Sequence, residues 1–406
     1  MNWFKKSMFS NQRFLLWFCG QGISYFGDSI AAVAIPILVL TYTQSAFLMG
    51  LVGALEVVPV FVIGLATGVW VDRWSRKKVM LVSDFGRALV MGLIPAASLA
   101  HAPMMPVVVV VAIVSGTLAV FFGAAYTGLI RRVVGEGELG RANGYFEAIE
   151  SIAYGLGPLF AGVLTSKIGA SYTIGIDALS FLFSAISILG LRSVDKRSTP
   201  SSKTTAGFFL EMKVGVQTVL KDSVLSAVTL LWGSNRFVFA ALIPALTFFV
   251  LKTLHGDSFQ VGLAVSLYAV GSLIGTLIGS RIPTHLGMAV GMGAQLCMFV
   301  GAVFLSIAAS IAIVFGCAAM LGVGEGLLLV IYLTYRVGRV PEEVVGRVYA
   351  VTSTATLGMG GIGYLVVGSL LNIWGSHVTW MVLAALSIMG AVSSYVISKQ
   401  NRAAHR

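Results

Sequence analysis

Twelve apolar runs, each near the twenty or so residues that an α-helix needs to cross bilayer hydrocarbon, follow one another along this 406-residue chain. They lie near residues 14–41, 47–71, 79–100, 104–129, 143–166 and 172–191, and again near 224–251, 259–280, 288–309, 310–333, 348–373 and 378–398. Lipid offers the backbone no hydrogen-bond partner, so a spanning segment of this length must satisfy itself as a helix. The expected fold is therefore an all-α membrane protein of twelve transmembrane helices. Charged residues make up 11% of the chain, well below the roughly 25% of ordinary soluble domains. The 47 glycines suit helices that pack closely in lipid. The first run follows Lys5, Lys6 and Arg13 as a signal peptide would, yet it is too long for one and lacks a small-residue cleavage site. It reads as a retained helix.

A polar stretch containing Pro200, Ser201, Ser202, Lys203, Thr204 and Thr205 divides the runs six and six. The expected organisation is a first bundle over residues 1–192, a linker with one surface helix over 193–222, and a second bundle over 223–406. Basic residues recur between the runs, so the net charge of +11 reads as a topology signal and not as a nucleic-acid surface. With a cytoplasmic N-terminus, the linker, the tail and almost every Lys and Arg fall on one side, leaving Lys167 and Lys252 on the other. Both termini are thus expected in the cytoplasm. Cys19, Cys297 and Cys317 all fall inside apolar runs without metal-ligand spacing and read as packing residues.

The two halves repeat. A shift of 206 residues lays Gly140 and Arg141 on Gly346 and Arg347, and carries Gly155, Gly157, Gly162 and Gly169 onto Gly361, Gly363, Gly368 and Gly375. A shift of 208 lays Pro36 on Pro244 and Asp28 on Arg236. Internal repeats of this kind mark transporters built from two related bundles.

One junction is distinctive. Gly64 and Gly68 are four apart at the end of the second run, the spacing that lets membrane helices approach. Asp72, Arg73, Arg76, Lys77 and Lys78 then crowd a turn too short for a domain. Gly68, Asp72, Arg73, Arg76 and Lys77 resemble, in register, the loop between the second and third helices of the major facilitator superfamily, with Ser75 where that family usually has glycine. The resemblance covers nearly the whole chain and implies two six-helix bundles. The Asp84 and Arg87 pair, Gly140 to Asn143, and Ile176 to Phe181 look like the branch of macrolide, multidrug and enterobactin exporters. Gly157, Pro158 and Gly162 are similar to the motif of proton-driven antiporters, with Ala161 in place of a glycine. The fourth run carries no arginine where many drug antiporters of the family have one.

Ionisable groups inside a span cost about 2.5 to 3.5 kcal/mol on insertion scales and usually face a cavity or a partner. Asp28 and Glu56 fall near mid-depth of the first two helices as candidate proton carriers. Glu150, one turn from Glu147, and Arg236 join them as candidates, with Glu147 hydrated or paired with Arg141. Glu325 stands between Gly324 and Gly326, small neighbours expected to open room beside it. Asp84 and Arg87 are placed near the inner end of helix three, and Asp177 near the outer end of helix six, as packing or gate contacts. The internal repeat suggests that Asp28 pairs with Arg236, and the resemblance suggests that Asp72, Arg73 and Arg76 form a cytoplasmic latch. No catalytic triad, metal spacing or phosphate-cradling loop is present in the sequence, which excludes an ordinary enzyme. The expectation is a monomeric, proton-coupled exporter of amphipathic small molecules in the cell membrane, with no cofactor beyond the proton gradient. The alternatives are a siderophore or secondary-metabolite exporter, an uptake symporter, and a lipid-handling or scaffold protein.

Overall fold

Each apolar run of the sequence becomes helix. The computed structural model describes residues 8–191, 205–283, 286–338, 340 and 344–404. The first half forms α1 (Gln12–Thr43), α2 (Ala46–Arg73), α3 (Arg76–Leu99), α4 (Met104–Val134), α5 (Leu139–Ile168) and α6 (Ala170–Leu189). The second begins with α7 (Thr205–Lys221) and α8 (Ser223–Phe239), then α9 (Leu242–Phe248), which runs into a π-helical turn at Phe249–Thr253. It ends with α10 (Ser258–Gly279), α11 (Gly287–Ser306), α12 (Ile311–Gly338) and α13 (Val345–Ala404). Among the described residues there is no strand, and eleven helical stretches are long and apolar enough to cross a membrane. The last of them lies in α13, whose 60 residues are interrupted at Gly375, with φ 74, and at 1.5 Å per residue that length accommodates two crossings. Part of the expected linker, residues 193–204, lies outside the described residues.

Helix starts are set by short polar side chains that take up orphan backbone donors. Asn11 accepts from Arg13 N at 3.1 Å at the start of α1, and Asp222 accepts from Val224 N and Leu225 N at 2.9 and 3.0 Å at the start of α8. Asp257 and Gln260 form a reciprocal capping box on α10.

The chain divides into two compact units, residues 1–44 with 55–201, and residues 45–54 with 202–406. In the first, α1 packs on α5 and α6, while α3 packs on α4 and α6. Phe14, Trp17 and Phe146, all buried, fill one end of this unit together with Tyr126. In the second, α10 and α12 interlock through reciprocal glycines. Cβ atoms at Gly271 and Gly275 would lie 2.1 and 2.2 Å from the carbonyls of Ala319 and Val323, and at Gly322 and Gly326 2.0 Å from those of Tyr268 and Ser272. Residues 45–54 join this unit, where the Gly50 backbone lies against Gly368 and the Tyr364 carbonyl.

The internal repeat survives as geometry. Gly169, between α5 and α6, and its equivalent Gly375 both take left-handed backbone, with φ of 82 and 74. Gly157 packs against Ser29 of α1, and its equivalent Gly363 against the carbonyl of Phe237 in α8, the residue that the 208 shift lays on Ser29. Because L side chains are strained at such φ values, Gly169→Ala and Gly375→Ala should each cost about 1 kcal/mol or more. Both should lower the thermal midpoint in detergent, whereas Gly155→Ala, in open space within α5, should not lower it.

Candidate functional site

The first unit holds a polar network in the middle of its helices. Arg87 is at the midpoint of α3, eleven residues from Arg76 and twelve from Leu99. Its Nη2 donates to Asp28 Oδ1 of α1 at 2.5 Å, with the two side chains 10% and 24% exposed. Its Nε donates to Ser115 Oγ of α4 at 3.3 Å, and the guanidinium lies 3.9 Å over the Phe181 ring of α6. Three neighbouring helices thus fix one cation, by ion pair, hydrogen bond and aromatic face.

Two further acids share this wall, Asp84 one turn before Arg87 and Asp177 on α6, and both contribute to the field at Arg87. Gln21 Nε2 donates to Ser184 Oγ, which donates to Asp84 Oδ2, each at 2.5 Å. Ser180 Oγ donates to Asp177 Oδ1 at 3.0 Å. Asp84 Oδ1 and Asp177 Oδ2 are buried without a hydrogen-bond partner among the described residues. The glycines of α1 make this possible. A Cβ at Gly27 would lie 2.3 Å from Asp177 Oδ1 and 2.1 Å from Ser180 Oγ, so only glycine lets α6 bring these groups so close. One guanidinium against three carboxyls leaves a surplus that a proton or a cation can offset.

Several sequence expectations change here. The cation that the first unit itself sets on Asp28 is Arg87, where the repeat had suggested Arg236; equivalent positions in a repeat share a role without having to touch. Arg87 and Asp84 belong to the middle of α3, away from its inner end. Asp177, seven residues from Ala170 and twelve from Leu189, is in the body of α6 and joins the same cluster. Glu56 has an exposed side chain on α2 and contributes to the field at Asp177. Glu150 is half-buried and lies within electrostatic reach of Tyr25 and Tyr126, which share a hydrogen bond. Glu147 is exposed, and Arg141 pairs with Glu138 at 3.0 Å instead.

In the second unit Glu325 accepts a short hydrogen bond from Tyr268 Oη of α10. Its flanking glycines open no room. The space beside Gly326 is taken by the α10 backbone and that beside Gly324 by Met298 of α11. Arg236 sits in the last turn of α8, where the helix macrodipole favours a cation, and its charge acts on Tyr268. Just beyond it the run breaks between α8 and α9, so Pro244 follows an interruption, whereas Pro36 lies inside continuous α1. Among the described residues no group of acids, histidines and cysteines is arranged to hold a metal ion.

The charged junction ties the first unit to itself. Ser75 caps α3, accepting from Lys78 N at 3.3 Å, which explains a serine where the resembling loop has glycine. Arg76 Nη1 donates to the Gly128 carbonyl of α4 at 3.1 Å, and Lys77 Nζ donates to the Leu189 carbonyl at 2.9 Å and to that of Leu191. Arg73 is exposed. The side chain of Asp72 and the surroundings of Gly68 lie outside the described residues. Among the described residues, a Cβ at Gly64 would meet Val60 of its own helix, at 3.7 Å. Gly157, Pro158 and Gly162 are buried in α5, with Gly157 against α1.

A part-buried Arg–Asp pair at mid-helix, two units and a surviving repeat are features of transporters, and the sequence decides which kind. The profile of the Major Facilitator Superfamily matches residues 17–363 and 228–405. The chain belongs to the major facilitator superfamily. It is accordingly a multi-pass membrane transport protein and not an enzyme. It is 25% identical over 366 residues to the multidrug efflux pump Tap of Mycobacterium tuberculosis, covering 88% of this chain and 87% of that one. It is 24% identical over 262 residues to macrolide efflux protein A of Streptococcus pyogenes, covering 64% of each. Among solved structures, a bacterial homologue of the human lysosomal transporter Spinster superposes with a TM-score of 0.75 at 13% identity, over 97% of this chain and 98% of the other. That likeness shows the superfamily fold.

Proposed function

We propose that this superfamily member exports amphipathic small molecules of the multidrug or macrolide type in exchange for protons. The observation that carries the reading is the Asp28–Arg87 pair, an ion pair at mid-helix surrounded by more acids than bases. An isolated charge at such depth is costly, and a proton that neutralises Asp28 frees Arg87 for Asp84 or Asp177. The helices holding these groups thereby acquire two alternative arrangements, the bistable element that coupling requires. The efflux relatives support the direction of transport. Glu56, Glu150, Arg236 and Glu325 are the further groups toward substrate or protons, and Asp72 with Arg73 is the proposed cytoplasmic latch of an alternating-access cycle between bundles at residues 1–192 and 223–406. The transporter acts as a monomer in the cell membrane, and no cofactor enters the cycle.

The direct test is uptake into inverted membrane vesicles, with a pH gradient imposed and then collapsed, across a panel of dyes, macrolides and siderophores. Gradient-dependent accumulation of dyes or macrolides is the expected result. Accumulation of siderophores alone would assign the chain to secondary-metabolite export, and gradient-independent equilibration would exclude proton coupling. Topology has its own check. The lopsided distribution of Lys and Arg predicts that a cysteine introduced at Ser202 resists a membrane-impermeant maleimide in intact cells, while one at Thr43 reacts.

A further inference from the structure

We propose that Gln21 and Ser184 are positioning residues for the proton step, holding Asp84 as the carboxylate that takes over Arg87 when Asp28 is protonated. The inference rests on the reading of Asp28 as the proton carrier and names the group that receives the cation it gives up. Gln21 of α1, Asp84 of α3 and Ser184 of α6 are all buried. Two close approaches bracket them. A Cβ at Gly20 would lie 2.2 Å from Ser187 Oγ and one at Gly27 2.1 Å from Ser180 Oγ, which clamps α1 against α6 above and below Ser184. Ser180 and Ser187 turn their hydroxyls back on α6, to the carbonyls of Asp177 and Ser184 at 2.8 and 2.7 Å, the common habit of a helical serine. Ser184, between them, does not. Gln21 Nε2 donates to its Oγ at 2.5 Å, and its one hydroxyl proton goes across to Asp84 Oδ2 at the same distance.

A donor to a carboxylate favours its charged form, the more so away from water. The other oxygen, Asp84 Oδ1, has no partner among the described residues. Arg87 is one turn further along the same face of α3, within the field of Asp84. It donates through Nη2 to Asp28 and through Nε to Ser115, and its Nη1 makes no hydrogen bond among the described residues. A change of rotamer therefore suffices to carry the guanidinium from Asp28 to Asp84. Asp177 is less well prepared, since the hydroxyl bonded to it comes from Ser180 of its own helix. The ionisable groups around the Asp28–Arg87–Asp84 set are Glu56 of α2, Glu150 and Tyr154 of α5, and Asp177 of α6, with the Ser115 hydroxyl from α4. Arg87 is the one cation in this group, so Asp28 accepts a proton readily only where another acid is ready to hold Arg87.

The experiment is a pH titration of the full chain in nanodiscs, without substrate or gradient, in which difference infrared spectra follow protonated carboxyls. The Asp28 band is the one that Asp28→Asn lacks. Ser184→Ala should move the midpoint of this band to lower pH by about one unit, a tenfold higher proton concentration, because an anion stripped of a charge-assisted hydrogen bond holds Arg87 less well. Gln21→Leu, apolar and of similar size, should move it the same way by less, since Ser184 can still donate. Ser187→Ala, the same deletion one turn along α6, should leave the midpoint at the wild-type value. An unmoved midpoint in Ser184→Ala, or the same shift in Ser187→Ala, would reduce the chain to a packing contact and overturn the proposal. Should Ser184→Ala fail to fold, Gln21→Leu decides in the same way. A wild type without an Asp28 band would overturn it outright. No transport is measured, so this result and that of the vesicle assay are read separately.

Discussion

Arg87→Leu is expected to lose most of the folded protein. The substitution leaves Asp28, Asp84 and Asp177 in one wall with no cation, and removing one partner of a buried pair typically costs about 3 to 5 kcal/mol. The bond to Ser115 and the aromatic contact with Phe181 go with it. That loss approaches the whole stability of many domains. Arg87→Lys should recover part of it, because an ammonium can reach Asp28 but cannot serve Ser115 and the Phe181 face together. The yield of monodisperse protein by fluorescence-detected size exclusion checks the order, wild type above Arg87→Lys above Arg87→Leu. Adding Asp28→Asn to Arg87→Leu should restore some of the yield, since it removes one of the stranded acids. If Arg87→Leu were as stable as wild type, the cluster would not be held together by this cation.

Removing the acid should behave differently. Asp28→Asn leaves Arg87 with Asp84 and Asp177 close by, so the unit still folds, but the carboxylate proposed to trade Arg87 for a proton is gone. Proton-driven efflux should fall by about 5- to 150-fold, the range that 1 to 3 kcal/mol of lost coupling implies. Downhill exchange of the same substrate across vesicles with no pH gradient should persist. Loss of exchange and efflux in equal measure would instead place Asp28 in substrate binding or folding.

The difference between these two variants was not legible in the sequence, and the reason is physical. Span length and glycine spacing are written in one dimension, so the helices, and the equivalence of Gly169 and Gly375 under the repeat, can be read from the chain itself, while their positive φ could not. Which charges meet depends on the rotation and depth of helices far apart in sequence. Arg87 and Asp28 are 59 positions apart, and no pattern along the chain joins them. The repeat relates Asp28 to Arg236, but symmetry equivalence is not contact. Small residues carry a similar ambiguity. The glycines beside Glu325 signal either a cavity or a close approach, and here α10 and α11 fill the space. Ser75 is the reverse case, since its capping role follows from residue type at a helix start and needed no tertiary information.

Proton release on substrate binding tests the central claim most directly. Purified protein in weakly buffered detergent solution receives a transported dye or macrolide, and a pH indicator follows the bulk. Starting from protein acidified beforehand, so that Asp28 is proton-loaded and has given up Arg87, the account predicts a stoichiometric release of protons from the wild type as substrate binds and the Asp28–Arg87 pair re-forms, and little or none from Asp28→Asn at saturating substrate. Equal release from both proteins would contradict it, for the proton would then reside on a group other than the one that Arg87 holds.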